Sequence, residues 1–345
     1  GLQRDFNESK GFGSDIVVPF CPESPLSGVE YKDFINSMWY HRAVEVPAAW
    51  EGKKILLNFG AVDYTSSIYV NGKLAGRHYG GSSSFSVDIT RFVNAGQSAD
   101  VVVWVQDDVR AGVQASGKQC PDYYSRGCHY TRVTGIWQTV WLEFAPKAYI
   151  KNVKYYPNIT DGSVTVEANL VGCGDFSCDI SYEGKPMGSY QAKNASDQLH
   201  FTIQLAESHL WQIGNGRLYD VKLTFGQDTA ESYFGLRQVR LDGHKFLLNG
   251  KSVFQRLILD QGFYPDGIYT APSDEALIRD IQISLDAGFN GARLHEKAFE
   301  PRFLYHCDRM GYMVWGEHAN WNLDVSTLEA LEAYLPEWTE LVERD

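Results

Sequence analysis

The sequence lacks any run of 18 apolar residues, the length that a membrane-spanning helix needs, so no membrane span is expected. Its opening, Gly1-Leu2-Gln3-Arg4-Asp5, lacks the basic and then apolar make-up of an export signal, and any such signal is expected to have been removed already. Basic charge is also in short supply. Lys and Arg number 31 against 43 Asp and Glu, a net charge of −12. Nucleic acid, a polyanion gripped by clustered Lys and Arg, is therefore excluded as a partner, and neutral ligands fit better. The six cysteines at 21, 120, 128, 173, 178 and 307 include no CxxC pair, which argues against a sulfur-ligated metal. The close pairs Cys120/Cys128 and Cys173/Cys178 allow local disulfides in an exported protein, although sequence does not fix connectivity. Sequons at Asn7, Asn158 and Asn194 would carry glycans only in a eukaryotic secretory pathway. A secreted or periplasmic home is favoured over the cytoplasm. No cofactor is expected, and homo-oligomerisation is left open.

What is present is an aromatic-rich, turn-rich chain of 345 residues, long enough for two or three domains. From about Met38 to Phe144 short β-rich runs alternate with turn residues and helical periodicity is absent, the rhythm of a jelly roll or sandwich. Asn71-Gly72 supplies the pair of positive φ angles that a two-residue hairpin requires. Between Asp107 and Arg132 a long polar stretch rich in Gly, Ser and Tyr predicts a loop that is either functional, with Tyr123, Tyr124, Arg126, His129 and Tyr130 as the residues to watch, or a mobile surface loop. After the linker Ala145-Pro146-Lys147, a second β-rich segment predicts an immunoglobulin-like sandwich, read as a spacer because no catalytic constellation lies in it.

Past Asn249-Gly250 the pattern changes to alternating strand and helix, which implies parallel pairing. Ser252 to Asp260 reads as a strand, followed by a helix capped by Ser273 and stopped at Gly288. A strand from Asn290 to His295, a helix from Pro301 to Gly311 and a strand from Tyr312 to Trp315 follow. A third helix is expected from a capping box of Ser326 with Glu329, to be broken or restarted at Pro336. The expected fold class is thus mostly β: a jelly-roll β-sandwich over 1–147, an immunoglobulin-like sandwich over 148–240, and the first three β/α units of a truncated (β/α)8 TIM barrel over 241–345.

The segment Asn290-Gly291-Ala292-Arg293, with Pro301, Cys307-Asp308, Gly311 and Glu317, resembles the barrel entry of glycoside hydrolase family two, the β-galactosidase, β-glucuronidase and β-mannosidase relatives. Upstream, Trp39-Tyr40-His41-Arg42, Phe59-Gly60-Ala61-Val62-Asp63-Tyr64, Val70-Asn71-Gly72-Lys73 and Thr134-Gly135-Ile136-Trp137-Gln138 resemble that family's sugar-binding jelly roll. Tyr233-Phe234-Gly235-Leu236-Arg237 and Phe246-Leu247-Leu248-Asn249-Gly250 resemble its passage into the barrel. The resemblance implies a retaining β-glycosidase, β-galactosidase-like in the first instance, with a carbohydrate β-glycoside as partner. In such enzymes a Glu acid/base and a Glu nucleophile stand about 5 Å apart. By the family pattern both lie further along the barrel than Asp345, so no catalytic residue is assigned, and the chain is expected to bind or scaffold without turning substrate over.

The resemblance implies that the 107–132 loop, in its functional reading, reaches over the barrel mouth. Barrel sites are built at the C-terminal ends of strands, which picks out Asp260, Arg293, His295, Glu296 and Glu317; Asp260, Arg293, Glu296 and Glu317 are the substrate-binding candidates, joined by Trp321, either a sugar-stacking face or packing beside the strand. Asp260 could take a sugar hydroxyl or orient its loop; Glu317 could do the same or pair with Arg293. His295 sits in a run, His295-Glu296-Lys297-Ala298, that departs from the family's His-Tyr-Pro. The segment after Glu317 lacks the Glu and His of magnesium-using β-galactosidases, so no metal site is expected. The rival from another class is a lectin-like, non-catalytic carbohydrate-binding protein, against which the barrel start speaks.

Overall fold

The computed structural model describes residues 13–345. Asn7 lies outside them. The first nine strands are β1 (Ser37–Glu45), β2 (Lys54–Phe59), β3 (Val62–Asp63), β4 (Thr65–Val70), β5 (Lys73–Tyr79), β6 (Phe85–Asp88), β7 (Ser98–Gln106), β8 (Gly135–Ile136) and β9 (Val140–Ala145). They form one sheet in the order β1-β7-β4-β5, another in the order β6-β2-β9 and a β3-β8 ladder, with antiparallel pairing throughout. Alternate residues such as Ile55, Leu57 and Phe59 turn inward against Ile68, Val70, Val101, Val103 and Val105, the period-two burial of a sandwich. The β4-β5 hairpin turns on Asn71 (φ 49°) and Gly72 (φ 74°), as the dipeptide predicts. Two of the motif runs interlock here. Tyr40 accepts a hydrogen bond from the Ile136 amide at 3.1 Å, and a Cβ on Gly135 (φ 77°) would stand 2.3 Å from the Tyr40 hydroxyl.

Five strands follow: β10 (Tyr149–Asn158), β11 (Ser163–Tyr182), β12 (Lys185–Gln204), β13 (Leu218–Phe225) and β14 (Asp228–Gly235). The long β11 pairs with β10 in its first half, with β13 in its second and with β12 along both, the register slipping between Asn169 and Cys173. Such a bulge lets one strand bend and serve both layers around a core of Val164, Val166, Phe176, Ile180, Tyr219, Leu223 and Phe225. The cysteines at the two close pairs are free. Cys173 and Cys178 lie an odd number of residues apart on β11, with Cys173 exposed and Cys178 in the core, so their side chains leave opposite faces.

A three-stranded ribbon, β15 (Val239–Asp242), β16 (Lys245–Leu248) and β17 (Lys251–Ser252), leads to β18 (Leu257–Asp260), α1 (Asp274–Asp286), β19 (Gly291–Leu294), α2 (Pro301–Met310), β20 (Met313–Trp315) and α3 (Leu328–Arg344). β18, β19 and β20 are parallel and adjacent in that order. α1 and α2 cover one face, where Leu277, Ile281, Ala292, Leu294, Phe303 and Tyr312 share a core. The opposite face carries one register row of Leu259, Arg293 and Trp315, each at least half exposed. Asp308, on α2, ties this region to the second sandwich: its carboxylate accepts from Arg237 Nη1 at 2.6 Å and its carbonyl from Trp211 Nε1 at 2.6 Å.

Three expectations are corrected. The strand expected over Ser252 to Asp260 is two pieces, because Val253 to Arg256 leave the ladder where the ribbon hands over to the parallel sheet. The third helix is capped by Thr327, whose hydroxyl accepts from the Ala330 amide at 3.3 Å; Ser326 instead turns its hydroxyl to Asp324. Pro336 does not break it. Contacts on both sides of the proline hold the helix, with Ala330 and Ala333 buried before it and Glu337 and Leu341 buried after it.

Candidate functional site

The C-terminal ends of β18, β19 and β20 meet the long segment 107–132 of the first sandwich, and this junction is the candidate site. The loop is fixed at its root by a buried carboxylate. Asp63 accepts from Gln119 Nε2 at 2.6 Å, while Gln119 Oε1 accepts from the Val133 amide at 2.8 Å. Burial holds the Asp63 carboxyl well above the usual range, with the neighbouring Asp107 adding to the effect. Across the junction the Ser116 amide donates to the Trp321 carbonyl at 3.1 Å and the Asp324 amide to the Gly112 carbonyl at 2.7 Å. Asn322 Nδ2 donates to the Gln119 carbonyl at 3.2 Å. Gly117, at φ 56°, approaches so closely that a Cβ would stand 2.2 Å from the Glu296 carbonyl oxygen.

The sequence-selected residues fall together here, each already engaged. Asp260, at the end of β18, accepts from the Gly262 amide at 2.9 Å, and burial raises its carboxyl. Arg293 Nε donates to Glu317 Oε2 at 2.6 Å, and this pairing raises the guanidinium further above its ordinary value. The second Glu317 oxygen accepts from the Glu296 amide at 3.2 Å. Glu296 has φ 58° and is 5% exposed; its Oε2 accepts from the amides of Asn320 and Trp321, both at 2.9 Å. Trp321 sits between the two sides. Its ring lies 5.3 Å from that of His129 and 5.9 Å from that of His295, and Lys118 Nζ is 3.5 Å from its centroid.

Of the five loop residues singled out, His129 and Tyr130 reach the junction, Tyr130 stacking on Phe263 at 4.3 Å. Tyr123, Tyr124 and Arg126 stay exposed at the loop tip, Arg126 pairing with Asp122. Sequence reasoning passed over Lys118, Gly117, Gln119 and Lys297. Lys297 is buried, donates to the carbonyls of Gly262 at 2.6 Å and Tyr269 at 2.7 Å, and is lowered to about 8 by burial. Nothing local marks these residues, since their partners are remote in sequence.

A metal's donor types do converge. One atom each from His295, Glu296 and Glu317 lies within 4.8 Å of the others. The set fits an ion poorly: Glu317 is held by Arg293 and the Glu296 amide, and Glu296 by two further amides.

The fold and junction define a multidomain protein in which two β-sandwiches lead into parallel β/α units. The sugar-binding domain model of glycosyl hydrolases family 2 matches residues 8–146, and a second model of glycosyl hydrolases family 2 matches residues 148–237. The chain belongs to glycosyl hydrolases family 2. Among curated proteins it is similar to a putative beta-glucuronidase of Formosa agariphila, 26% identical over 305 residues covering 82% of this chain and 35% of that protein. It is likewise similar to a beta-galactosidase of Thermoanaerobacter pseudethanolicus, 25% identical over 346 residues covering 93% of this chain and 45% of that protein. The chain therefore spans about half the length, or less, of these relatives. A solved β-glucuronidase of Ruminococcus gnavus superposes over 100% of this chain and 63% of its own with a TM-score of 0.82 at 20% identity, a likeness of fold.

Proposed function

We propose that this chain is the substrate-gripping, non-catalytic portion of a retaining β-glycoside hydrolase. In this reading 1–147 is the jelly roll, 148–240 the immunoglobulin-like spacer, and 241–345 the first three units of a (β/α)8 barrel. One observation carries it. A sandwich loop is locked onto the C-terminal ends of three parallel strands, the end at which barrels bind substrate. The exposed row of Leu259, Arg293 and Trp315 supports the barrel reading, since these side chains face where further strands would enclose them.

Glu296 and Glu317 lie close together, each with an oxygen within 4.8 Å of the other's, and their surroundings argue against the role of a retaining pair. Glu296 is buried beneath two amide donors and cannot reach a glycosidic oxygen, and Glu317 is neutralised by Arg293. Both serve instead, with Asp260, to shape the sugar-facing end of the sheet. The test compares two proteins. The 345-residue chain should release no nitrophenolate from 4-nitrophenyl β-D-galactoside or β-D-glucuronide, whereas a protein that continues through the barrel should cleave an aryl β-glycoside with retained anomeric configuration by proton NMR. Turnover by the chain alone, abolished by Glu317→Gln, would overturn the assignment, as would inversion.

A further inference from the structure

We propose that Lys118, delivered to the strand ends by the sandwich loop, is a specificity residue that receives an anionic substituent, a carboxylate or a sulfate, on the bound sugar. The proposal rests on the glycoside-binding reading of the junction and deepens it. Lys118 is 4% exposed, and among the described residues its ammonium has neither a hydrogen bond nor a carboxylate within ion-pair distance. Its one close neighbour is the Trp321 ring, 3.5 Å from Nζ to centroid. An indole face offers an ammonium on the order of 1–2 kcal/mol and leaves its charge without a counter-ion.

The placement is imposed rather than incidental. The Lys118 carbonyl accepts from the Tyr130 amide at 2.8 Å, the next residue is bolted to Asp63, and the preceding Gly117 is wedged against Glu296. The strand-end carboxylates that could have neutralised the ammonium are committed elsewhere, Glu317 to Arg293 and Glu296 to backbone amides. One face of Trp321 is thus taken by the lysine, and what remains at the junction is a positive group aimed at a sugar site. Although the chain carries a net charge of −12, Lys118 places at this point a cation without an ion pair among the described residues.

The test uses a protein that continues through the barrel, with Lys118→Met, which keeps the apolar stem, and Lys118→Arg, which keeps the charge. Affinities for D-glucuronate, D-glucose 6-sulfate and D-glucose are measured by calorimetric titration, and kcat/KM by hydrolysis of the matching aryl β-glycosides. Lys118→Met should weaken one of the two anionic sugars by roughly 10- to 100-fold more than the neutral one, with Lys118→Arg recovering most of the difference. Selective loss on glucuronate identifies a carboxylate and selective loss on the 6-sulfate a sulfate. Equal effects on all three sugars, or none, overturn the role of Lys118. Should the protein bind the anionic sugar through Lys118 yet hydrolyse no glycoside, the hydrolase reading fails while this one stands. Thermal melts of both variants identify misfolding, and Lys118→Gln then replaces Lys118→Met.

Discussion

At Glu296 a carboxylate that sequence position assigns to substrate is turned instead toward the backbone. The residue was legible as lying just past a strand end, because Gly291, the apolar alternation and Pro301 fix where β19 stops. Its orientation was not legible. The amides that capture it belong to Asn320 and Trp321, brought near only after α2 and β20 have folded. The same holds for Arg293 and Glu317, whose pairing was one of two readings open from the sequence, and for Asp260, whose carboxylate lies on its own loop. Glu296→Gln keeps the shape and one acceptor while removing the charge that strengthens both amide bonds. The expected loss is about 1–2 kcal/mol in urea unfolding, with sugar affinity falling only in step with stability. A variant of unchanged stability whose affinity for the sugar drops tenfold would return Glu296 to direct substrate contact.

Among the elements, those with local punctuation were read correctly. Asn71-Gly72 gave its hairpin, Ser273 its cap, and Pro301 with Gly311 both ends of a helix, because each signal acts within one turn of backbone. Errors arose where a competing contact, local at Ser326 and remote at Pro336, overrode the expected signal. Thr327 displaced Ser326 as cap because Ser326 bonds to Asp324, and α3 runs through Pro336 because Glu337 Oε1 accepts from the Ser82 amide at 2.6 Å on the first sandwich. The loop over 107–132 was recognisable as long and polar, but not its landing point. Gly117→Ala tests that landing, since the new methyl would meet the Glu296 carbonyl in a backbone region that L residues avoid. Stability should fall by about 1–3 kcal/mol. Amide exchange should quicken at residues 112–130 and 319–324 while the β4-β5 hairpin keeps its protection. Uniform quickening throughout the first sandwich would show that the loop is integral to that core and not a separately docked arm.

On the scale of the whole molecule, the first sandwich meets the parallel strands and α3 through a seam unusually rich in buried carboxylates. Glu23, Asp63, Asp107 and Glu337 are each less than a tenth exposed. Glu23 accepts from the Thr134 amide at 3.2 Å through one oxygen, and the buried Cys21 thiol lies beside its carboxyl. Burial pushes Glu23 up to about 7 and Asp107 also up to about 7. A folded-state value raised above the unfolded one means that the native protein keeps protons that the unfolded chain has released. The stability these groups contribute is fully present below about pH 4, is lost as pH rises toward 7, and changes little beyond that. Each contributes on the order of 3–4 kcal/mol over that interval. Urea unfolding between pH 4.5 and 8 should therefore show a declining contribution that Glu23→Gln removes. The variant should match the wild type near pH 4.5 and exceed it near pH 8, because Gln keeps the acceptor for Thr134 and cannot ionise. Subtracting the two profiles isolates Glu23 from other titrating groups such as His78, which burial lowers and which acts with the opposite slope. A difference that is flat across the range, or that favours the wild type at pH 8, would mean that Glu23 is ionised in the folded seam, with Thr134 and the Cys21 thiol donating to it.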